Sequence, residues 1–154
     1  MKQIISDVDG VLNNGQFLYD SSGKQYKTFG PHDTDGVKLL KQHGWKVEFI
    51  SADKRGFDIT KKRVNDMGCK VTLVSEDNRF KWVDDNFGLS DIVYVGDGIH
   101  DAKILKHSKL GFAPSNSTIF AKESANVILN ASGGFGVFLE IAVNLLKLEG
   151  TNFE

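Results

Sequence analysis

The feature that most constrains the fold is a regular alternation of short apolar runs with amphipathic stretches. The apolar runs have the length of buried strands, and the first covers residues 4–8. The amphipathic stretches carry apolar residues at helical spacing, and several end at a glycine, as helices commonly do. Because alternating strands and helices are typical of α/β domains, we predict a doubly wound, mainly parallel sheet with helices on both faces.

The pattern predicts strands of the main sheet at residues 4–8, 46–50, 70–74, 91–95, 110–113 and 126–129. It predicts helices at residues 35–42, 57–67, 79–87, 99–107, 117–123 and 135–148. In the last helix, one apolar face is expected to contain Phe138, Ile141, Ala142, Leu145 and Leu148. Residues 17–19 and 26–29 flank a turn-like segment and predict a β-hairpin after the first strand.

The length of 154 residues fits one domain. We therefore predict a single domain over residues 1–154, with the hairpin as an excursion at about residues 12–30. No insertion is long enough to form a separate cap domain over a site. The single cysteine, Cys69, excludes an internal disulfide and a cysteine-rich zinc site.

The charge balance argues against nucleic-acid and membrane partners. The chain has 19 basic and 20 acidic residues, a net charge of −1, so it lacks a bulk attraction to polyanions. No segment has the roughly 18 apolar residues that a membrane span needs. The first residues turn acidic too early for a secretory signal, so we expect a cytoplasmic protein.

Polar residues follow the strands where a parallel sheet collects its ligands, at the carboxyl ends. Asp7 and Asp9 follow the first strand, Ser51 the second and Asp97 the fourth, while Lys81 follows the loop after the third. Two carboxylates spaced two apart on an extended strand lie on one side and need a cation or a shared proton. An oxygen-rich acidic site suits Mg²⁺, and a hydroxyl with a lysine suits phosphate oxygens.

Such a set indicates phosphoryl transfer through an aspartyl-phosphate. Taken alone, the Asp-x-Asp-Gly motif at residues 7–10 is also consistent with a solvated turn, and Gly-Asp-Gly at 96–98 is equally unspecific. Their joint occurrence after buried strands, in a fixed order, favours a site.

The segment Asp7-Val8-Asp9-Gly10-Val11-Leu12, with Ser51, Lys81 and Gly96-Asp97-x-x-x-Asp101, resembles the four motifs of the haloacid dehalogenase (HAD) phosphohydrolase superfamily. The resemblance covers almost the whole chain. It is strongest to the capless branch typified by 3-deoxy-D-manno-octulosonate 8-phosphate (KDO 8-phosphate) phosphatase and nonulosonate 9-phosphate phosphatases. That branch has a hairpin like residues 17–29, a Phe-x-x-x-Asp-x-x-Gly segment like residues 29–36, and a Gly-Gly-x-Gly tail like residues 133–136.

The resemblance implies a HAD-like fold and a role for each motif residue. Asp7 would be the nucleophile, and Asp9 the general acid that later activates water. Ser51 and Lys81 would hold the transferring phosphoryl group. Mg²⁺ would be bound by Asp7, by the backbone carbonyl of Asp9 and by Asp97. Asp101 would lie behind them and orient Lys81 or a metal-bound water.

The resemblance implies a phosphomonoesterase for a small phosphorylated sugar or sugar acid, KDO 8-phosphate-like or nonulosonate 9-phosphate-like. Further candidates for contact with phosphate or substrate are Gly10, Ala52, His32, Asp53 and Lys54. Ala52 and Asp53 stand where the branch has Gly followed by Arg or Glu, and Phe135 stands where the octulosonate enzymes have an Arg that reaches a neighbouring subunit's site. These departures concern substrate recognition more than phosphoryl chemistry.

The hairpin carries more apolar surface than a two-stranded ribbon can bury. By analogy with the branch, we expect it to pair with other copies of the chain in a homotetramer. Two other functions remain open at this point: a phosphoacceptor signalling domain and a non-catalytic oligomerising relative. Receiver domains lack a counterpart of Asp9, and a phosphomutase would need a cap that shields its intermediate from water.

Overall fold

A parallel sheet forms the centre of the computed structural model, which describes residues 2–151. Its strands, in spatial order, are β5 (Lys70–Leu73), β4 (Lys46–Ser51), β1 (Gln3–Asp7), β6 (Val93–Val95), β7 (Leu110–Ala113) and β8 (Val127–Ile128). Every neighbouring pair is parallel. A separate antiparallel hairpin consists of β2 (Leu18–Asp20) and β3 (Gly23–Tyr26).

The described residues contain six α-helices, of which the first five lie between strands and the sixth follows β8. They are α1 (His32–Gln42), α2 (Phe57–Asp66), α3 (Arg79–Phe87), α4 (Ala102–His107), α5 (Ile119–Ser124) and α6 (Val137–Leu148). Short 3₁₀ turns at Leu89–Asp91 and Ile99–Asp101 precede β6 and α4. The alternation of strands and helices confirms the predicted α/β class.

The two faces of the sheet bury separate apolar clusters. Ile4 packs on the face covered by α1, α2 and α6, whereas Ile5 packs on the face covered by α3, α4 and α5. Successive side chains of a strand point to opposite faces, so one apolar run supplies both clusters. The helices on both faces confirm the doubly wound architecture, and no separate cap domain is evident within residues 2–151.

The strand order creates a crevice beside β1. From β1 the chain runs outward through β4 to β5, and then crosses back to β6, β7 and β8. A parallel sheet binds its ligands where the order reverses, outside the carboxyl ends of the strands. Asp7 ends β1 and Ser51 ends β4, while Gly96-Asp97 follow β6 directly. The fold therefore brings three of the predicted motifs to one edge.

Close contact between α1 and α6 explains the Asp and Gly of the segment at 29–36. The buried Asp33 carboxylate accepts the Phe138 N–H at 2.9 Å, at the start of α6. A Cβ atom on Gly36 would lie 2.2 Å from the Phe138 carbonyl carbon, so the two backbones approach too closely for a side chain. Burial raises the pKa of Asp33, although the N–H groups of Phe138 and Gly136 oppose this.

Several predicted bounds differ from the structure. The hairpin strands lie at 18–20 and 23–26, because the turn is tighter than the predicted segment of residues 20–23. Helix α1 starts at His32, and the predicted helix at 99–107 is divided into a 3₁₀ turn and α4. Leu148, predicted on the apolar face of α6, is 76% exposed at the last residue of the helix. None of the helices within residues 2–151 has the length and apolarity needed to cross a membrane.

Candidate active site

A cleft of 430 Å³ opens at the carboxyl ends of β1, β4 and β6. Its walls come from the loop after β1, the hairpin, the loop after β4, the start of α3 and the loop after β6. The lining residues are Asp7, Asp9, Gly15, Phe17, Lys24, Ala52, Asp53, Glu76, Arg79, Asp97, Gly98, His100 and Asp101. The cleft is therefore rich in charge and mostly acidic.

Three carboxylates converge at the base of the cleft. One oxygen from each of Asp7, Asp97 and Asp101 lies within 4.8 Å of the others. Burial, together with the charges of Asp101 and Asp97, raises the pKa of Asp7 well above its ordinary value, although Arg79 opposes the shift. Burial and the neighbouring Asp101 raise the pKa of Asp97 to about 6. Such a cluster favours a bound cation, since a cation lowers the repulsion between the ionised groups.

Arg79 is the buried cation beside this cluster. Its Nη1 donates to Asp101 Oδ1 at 2.8 Å, and its Nη2 lies 3.4 Å from Asp7 Oδ1. The Tyr94 hydroxyl donates to the same Asp101 oxygen at 2.6 Å. Burial lowers the pKa of Arg79, but the charges of Asp7 and Asp101 outweigh this and raise it above its ordinary value. Arg79 therefore remains charged beside Asp7.

Asp101 also shapes the loop after β6. Its second oxygen, Oδ2, accepts the backbone N–H groups of Asp97 and Gly98, both at 3.0 Å. Four donors thus engage Asp101, which leaves Asp7 and Asp97 as the better ligands for an ion. An all-oxygen set of carboxylates is the donor chemistry that hard divalent cations prefer. The residues present fit a divalent metal ion, held by the carboxylates of Asp7 and Asp97.

The Asp-x-Asp-Gly loop is organised by Asn13, which the sequence analysis did not identify. Asn13 is fully buried, and its Nδ2 donates to Asp9 Oδ1 at 2.9 Å. Its Oδ1 accepts the N–H groups of Gly10 at 3.0 Å and Gly15 at 2.9 Å. The Gly10 N–H, expected to face the phosphate, is therefore engaged within the loop. A pattern of Asn three residues after Gly10 is typical of a side chain that closes a turn, and this was the available signal.

Glycine is required at two positions where the Asp-x-Asp-Gly loop meets neighbouring loops. Gly10 has φ of +89°, and a Cβ there would lie 1.8 Å from Asp97 Oδ2. A Cβ on Gly133 would lie 2.1 Å from the Asn13 carbonyl oxygen. The tail at residues 133–136 thus packs its backbone against the Asp-x-Asp-Gly loop. Asn116 connects them, because its Nδ2 donates to the Gly10 carbonyl and its Oδ1 accepts the Gly133 N–H.

Two lysines from the hairpin region enter the opposite wall. Lys24 Nζ donates to Asp53 Oδ2 at 2.7 Å and lies 3.5 Å from the centroid of the Phe17 ring. Lys27 Nζ lies 2.7 Å from the same Asp53 oxygen and 3.0 Å from Asp9 Oδ1. Burial opposes ionisation of Asp53, but the hydrogen bonds from Lys24 and Lys27 hold its pKa below the ordinary value.

Comparison with known proteins places this geometry in a family. A probable YrbI-family phosphatase of known structure from Pseudomonas syringae pv. phaseolica 1448a is 30% identical, with 97% of this chain and 87% of that chain covered and a TM-score of 0.85. The chain belongs to the HAD superfamily, in the branch of phosphatases similar to KDO 8-phosphate phosphatase. It is a phosphatase.

Two other relatives of this HAD branch are similar over most of their length. The KDO 8-phosphate phosphatase KdsC of Haemophilus influenzae is 28% identical over 155 residues, 97% of this chain and 85% of the relative. The structure of KDO 8-phosphate phosphatase from Moraxella catarrhalis in complex with a magnesium ion, a phosphate ion and KDO is 26% identical. It covers 96% of this chain and 86% of that chain, with a TM-score of 0.84. No family model matches the chain.

Most residues expected from the HAD motifs do meet at the cleft. The fold brings together Asp7, Asp9, Ala52, Asp53, Asp97 and Asp101. Ser51 is buried at the end of β4, next to this wall, and its Oγ accepts the Asp53 N–H at 3.1 Å.

Lys81 is not brought to the cleft. Its side chain is 79% exposed, and its Nζ pairs with Asp85 Oδ2 at 2.6 Å on the outer face of α3. The buried residues of α3 are Arg79 and Val83, one turn apart, so Lys81 points away from the sheet. Arg79 occupies the place expected for Lys81. The signal that could have found it is the i, i+4 spacing of Arg79 and Val83 on one helix face.

Two further candidates lie outside the cleft. The His32 side chain is exposed, lies 3.8 Å from Asp35 and borders a shallow depression with Phe135. His32 is the first residue of α1, and its side chain lies on the outer surface, outside the residues that line the cleft. Lys54 is exposed in the turn after Asp53, and its side chain does not line the cleft.

Proposed function

We propose that the chain is a Mg²⁺-dependent phosphomonoesterase that acts through an aspartyl-phosphate on Asp7. Its substrate is a small phosphorylated sugar or sugar acid, KDO 8-phosphate-like or nonulosonate 9-phosphate-like. The observation that carries the proposal is the convergence of Asp7, Asp9, Asp97 and the buried Arg79 on one cleft. The convergence supplies a nucleophile, a second carboxylate for proton transfer and a positive charge for the phosphoryl group.

Asp7 and Asp9 have different roles in the reaction: Asp7 attacks phosphorus and Asp9 transfers protons. In the first step, an Asp7 carboxylate oxygen bonds to phosphorus and the bond to the sugar oxygen breaks. Asp9 gives its proton to that oxygen, which leaves as an alcohol. In the second step, Asp9 takes a proton from water as the water oxygen bonds to phosphorus. The Asp7–phosphoryl bond then breaks, which releases inorganic phosphate and restores the Asp7 carboxylate and the protonated Asp9.

Arg79 takes the role that Lys81 was expected to have. It lines the cleft beside Asp7, and its buried Nε has no hydrogen-bond partner among residues 2–151. A guanidinium with an unused donor suits phosphoryl oxygens, whose charge grows in the transition state. The hydroxyl of Ser51 and the backbone at Ala52 border the same space and complete the phosphate side in this proposal.

Mg²⁺ fits the carboxylates of Asp7 and Asp97, with the backbone carbonyl of Asp9 as an expected third ligand. When bound, it would neutralise charge on the phosphoryl oxygens. The Moraxella relative, whose structure contains magnesium and phosphate ions, supports this choice. Oxygen ligands alone do not separate Mg²⁺ from Mn²⁺ or Co²⁺, so the metal is part of the test below.

The substrate proposal rests on the cleft and the relatives together. A volume of 430 Å³ is within the range of small-molecule sites. Relatives named for KDO 8-phosphate support a sugar-acid phosphate. Asp53 stands at the wall where the leaving alcohol would lie, and it pairs with Lys24 and Lys27. We propose that Asp53 contacts the sugar, whereas the side chains of His32 and Lys54 lie outside the cleft of their own protomer.

We also propose that the chain assembles into a homotetramer through its hairpin. Leu18, Tyr19 and Tyr26 are exposed on one two-stranded ribbon, with 59–66% of each residue accessible. Clustered apolar side chains of this kind favour a protein interface. Neighbouring copies would then cover the cleft that no cap domain closes within residues 2–151.

The test is phosphate release from a panel of phosphate esters with and without Mg²⁺, Mn²⁺ or Co²⁺. The panel contains KDO 8-phosphate, a nonulosonate 9-phosphate, hexose phosphates and nucleotides, and Asp7→Asn is measured beside the native chain. We expect metal-dependent release from a sugar or sugar-acid phosphate that is lost in Asp7→Asn. Release that persists in a folded Asp7→Asn protein, or that prefers nucleotides, would contradict the proposal.

A further inference from the structure

We propose that Lys27 is a positioning residue that holds the carboxylate of Asp9 in the orientation required for proton transfer to the leaving group. This inference rests on the proposed function, in which Asp9 is the general acid. Lys27 lies directly after β3, and its contact with Asp9 connects the hairpin to the Asp-x-Asp-Gly loop, called the catalytic loop below. It contacts Asp9 and does not itself need to touch the substrate.

Burial and four short contacts hold the Lys27 ammonium in one position. The side chain is fully buried. Its Nζ lies 3.0 Å from Asp9 Oδ1, 3.1 Å from Asp9 Oδ2, 2.7 Å from Asp53 Oδ2 and 2.7 Å from Thr60 Oγ1. These acceptors come from the loop after β1, the loop after β4 and helix α2. An ammonium has three protons, so they can satisfy it completely.

Two of those acceptors fix the lysine independently of Asp9. Thr60 is fully buried on α2, and it holds Nζ from the side of the protein core. Asp53 is shared with Lys24, which sits on the Phe17 ring. A Cβ on Gly56 would lie 2.4 Å from Asp53 Oδ2 and 2.8 Å from Lys27 Cε, so the start of α2 leaves space for this cluster alone.

Asp9 is consequently held from two directions. Asn13 Nδ2 donates to Oδ1 from within the catalytic loop, and Lys27 contacts both oxygens from the hairpin side. Fixing a proton donor in its reacting orientation accelerates steps that need the proton, because misplacement of about 1 Å is costly. The structure thus links hairpin position to the reactivity of Asp9.

This role predicts a dependence on the leaving group. A poor leaving group needs the proton from Asp9, whereas an acidic phenol departs largely without it. We therefore compare kcat/KM for phenyl phosphate, whose phenol has a pKa of about 10 like tyrosine, with kcat/KM for p-nitrophenyl phosphate, whose phenol is more acidic. Both values report the first step, in which the alcohol leaves.

Lys27→Met is expected to lower kcat/KM for phenyl phosphate at least about tenfold more than for p-nitrophenyl phosphate. Lys27→Arg, which keeps a cation in reach of Asp9, is expected to restore the ratio of the two values to within about threefold of the native ratio. Lys61→Met is the matched control, since Lys61 is exposed on α2 next to Thr60 and lies outside the site. It should change both values by less than about twofold.

Equal loss with both substrates in Lys27→Met would overturn the inference and leave a structural role only, as would no loss at all. If Lys27→Met does not fold, Thr60→Val keeps the ammonium but removes one of its anchors, and the same selective loss is expected at smaller size. Asp7→Asn distinguishes failure of the proposed function from failure of the inference on Lys27. Aryl phosphate hydrolysis that survives in Asp7→Asn refutes the proposed function, whereas its loss without a leaving-group effect at Lys27 refutes this inference alone.

Discussion

Burial, more than residue type, decides which charged side chains of this protein reach the cleft. Arg79 and Lys81 are two positions apart on α3, yet Arg79 contacts Asp7 and Asp101 while Lys81 pairs with Asp85 at the surface. The phase of a helix decides which of them faces the sheet, and the i, i+4 spacing of Arg79 and Val83 was the signal for it in the sequence. The acids were easier to place, because each follows a buried strand.

Separate substitutions of Arg79 and Lys81 give a matched pair of predictions. Arg79→Lys should lower kcat/KM for phosphate release about 10²-fold, because a single ammonium cannot contact Asp7, Asp101 and phosphate as a guanidinium does. Lys81→Met should change kcat/KM by less than about twofold, since it removes only an exposed ion pair. Steady-state kinetics on both variants measures this. A larger loss of kcat/KM in Lys81→Met than in Arg79→Lys would show that Lys81, rather than Arg79, acts on the phosphoryl group.

The raised pKa of Asp97 predicts a pH-dependent metal affinity. In the metal-free protein this pKa is about 6, against an ordinary value of 3.8, so folded protein retains a proton there that unfolded protein loses. The metal-free fold is therefore destabilised as pH rises from about 4 to about 6. Mg²⁺ must displace the proton, and its affinity should rise about tenfold per pH unit up to about pH 6.

Thermal unfolding with and without Mg²⁺ checks that prediction. The increase in Tm caused by Mg²⁺ should be larger at pH 7.5 than at pH 5, and Asp97→Asn should abolish most of it. An increase that is equal at both pH values would show that Asp97 does not bind the ion.

At the scale of elements, the contact between α1 and α6 positions the tail that packs on the catalytic loop. Asp33 joins the two helix starts through the Phe138 N–H, and Gly36 allows their backbones to approach. The Phe-x-x-x-Asp-x-x-Gly segment therefore has a structural explanation in this chain. The resemblance identified the segment, but only the packing explains its spacing.

Asp33→Ala should destabilise the fold by about 1–3 kcal/mol, because it leaves the buried Phe138 N–H without an acceptor. Asp35→Ala, at an exposed position on the same helix, should change the free energy of unfolding by less than about 0.5 kcal/mol. Urea unfolding of both variants makes the comparison. Equal effects would mean that the contact between Asp33 and Phe138 contributes little.

At the scale of the molecule, the order of strands and helices was predictable because hydrophobic periodicity is local. The meeting of Asp7, Ser51 and Asp97 at one edge then followed from the rule for parallel sheets. Asn13 acts within its own loop, and its spacing from Gly10 was a local signal. The role of Lys27 was not predictable in the same way. It depends on how the hairpin folds back over α2 and the catalytic loop, which is a tertiary property that no short pattern contains.

The exposed hairpin makes a prediction about assembly. Four copies of the 17.0 kDa chain should give a particle of about 68 kDa by light scattering at micromolar concentration. Tyr19→Glu combined with Tyr26→Glu should reduce this mass, because it places charge within the interface. Leu148→Glu, at the exposed end of α6, should leave the mass unchanged. A native chain that runs as a monomer would contradict the tetramer.

In the proposed reaction, Asp7 carries the phosphoryl group and Asp9 then activates water. Asp9→Asn with p-nitrophenyl phosphate tests it most directly, because the acidic phenol leaves without a proton while the second step lacks its base. The mixture is quenched with acid during turnover, and the peptide containing Asp7 is examined by mass spectrometry. We predict one added phosphoryl group on Asp7. A phosphoryl group on another residue, or none during continuing turnover, would contradict the account.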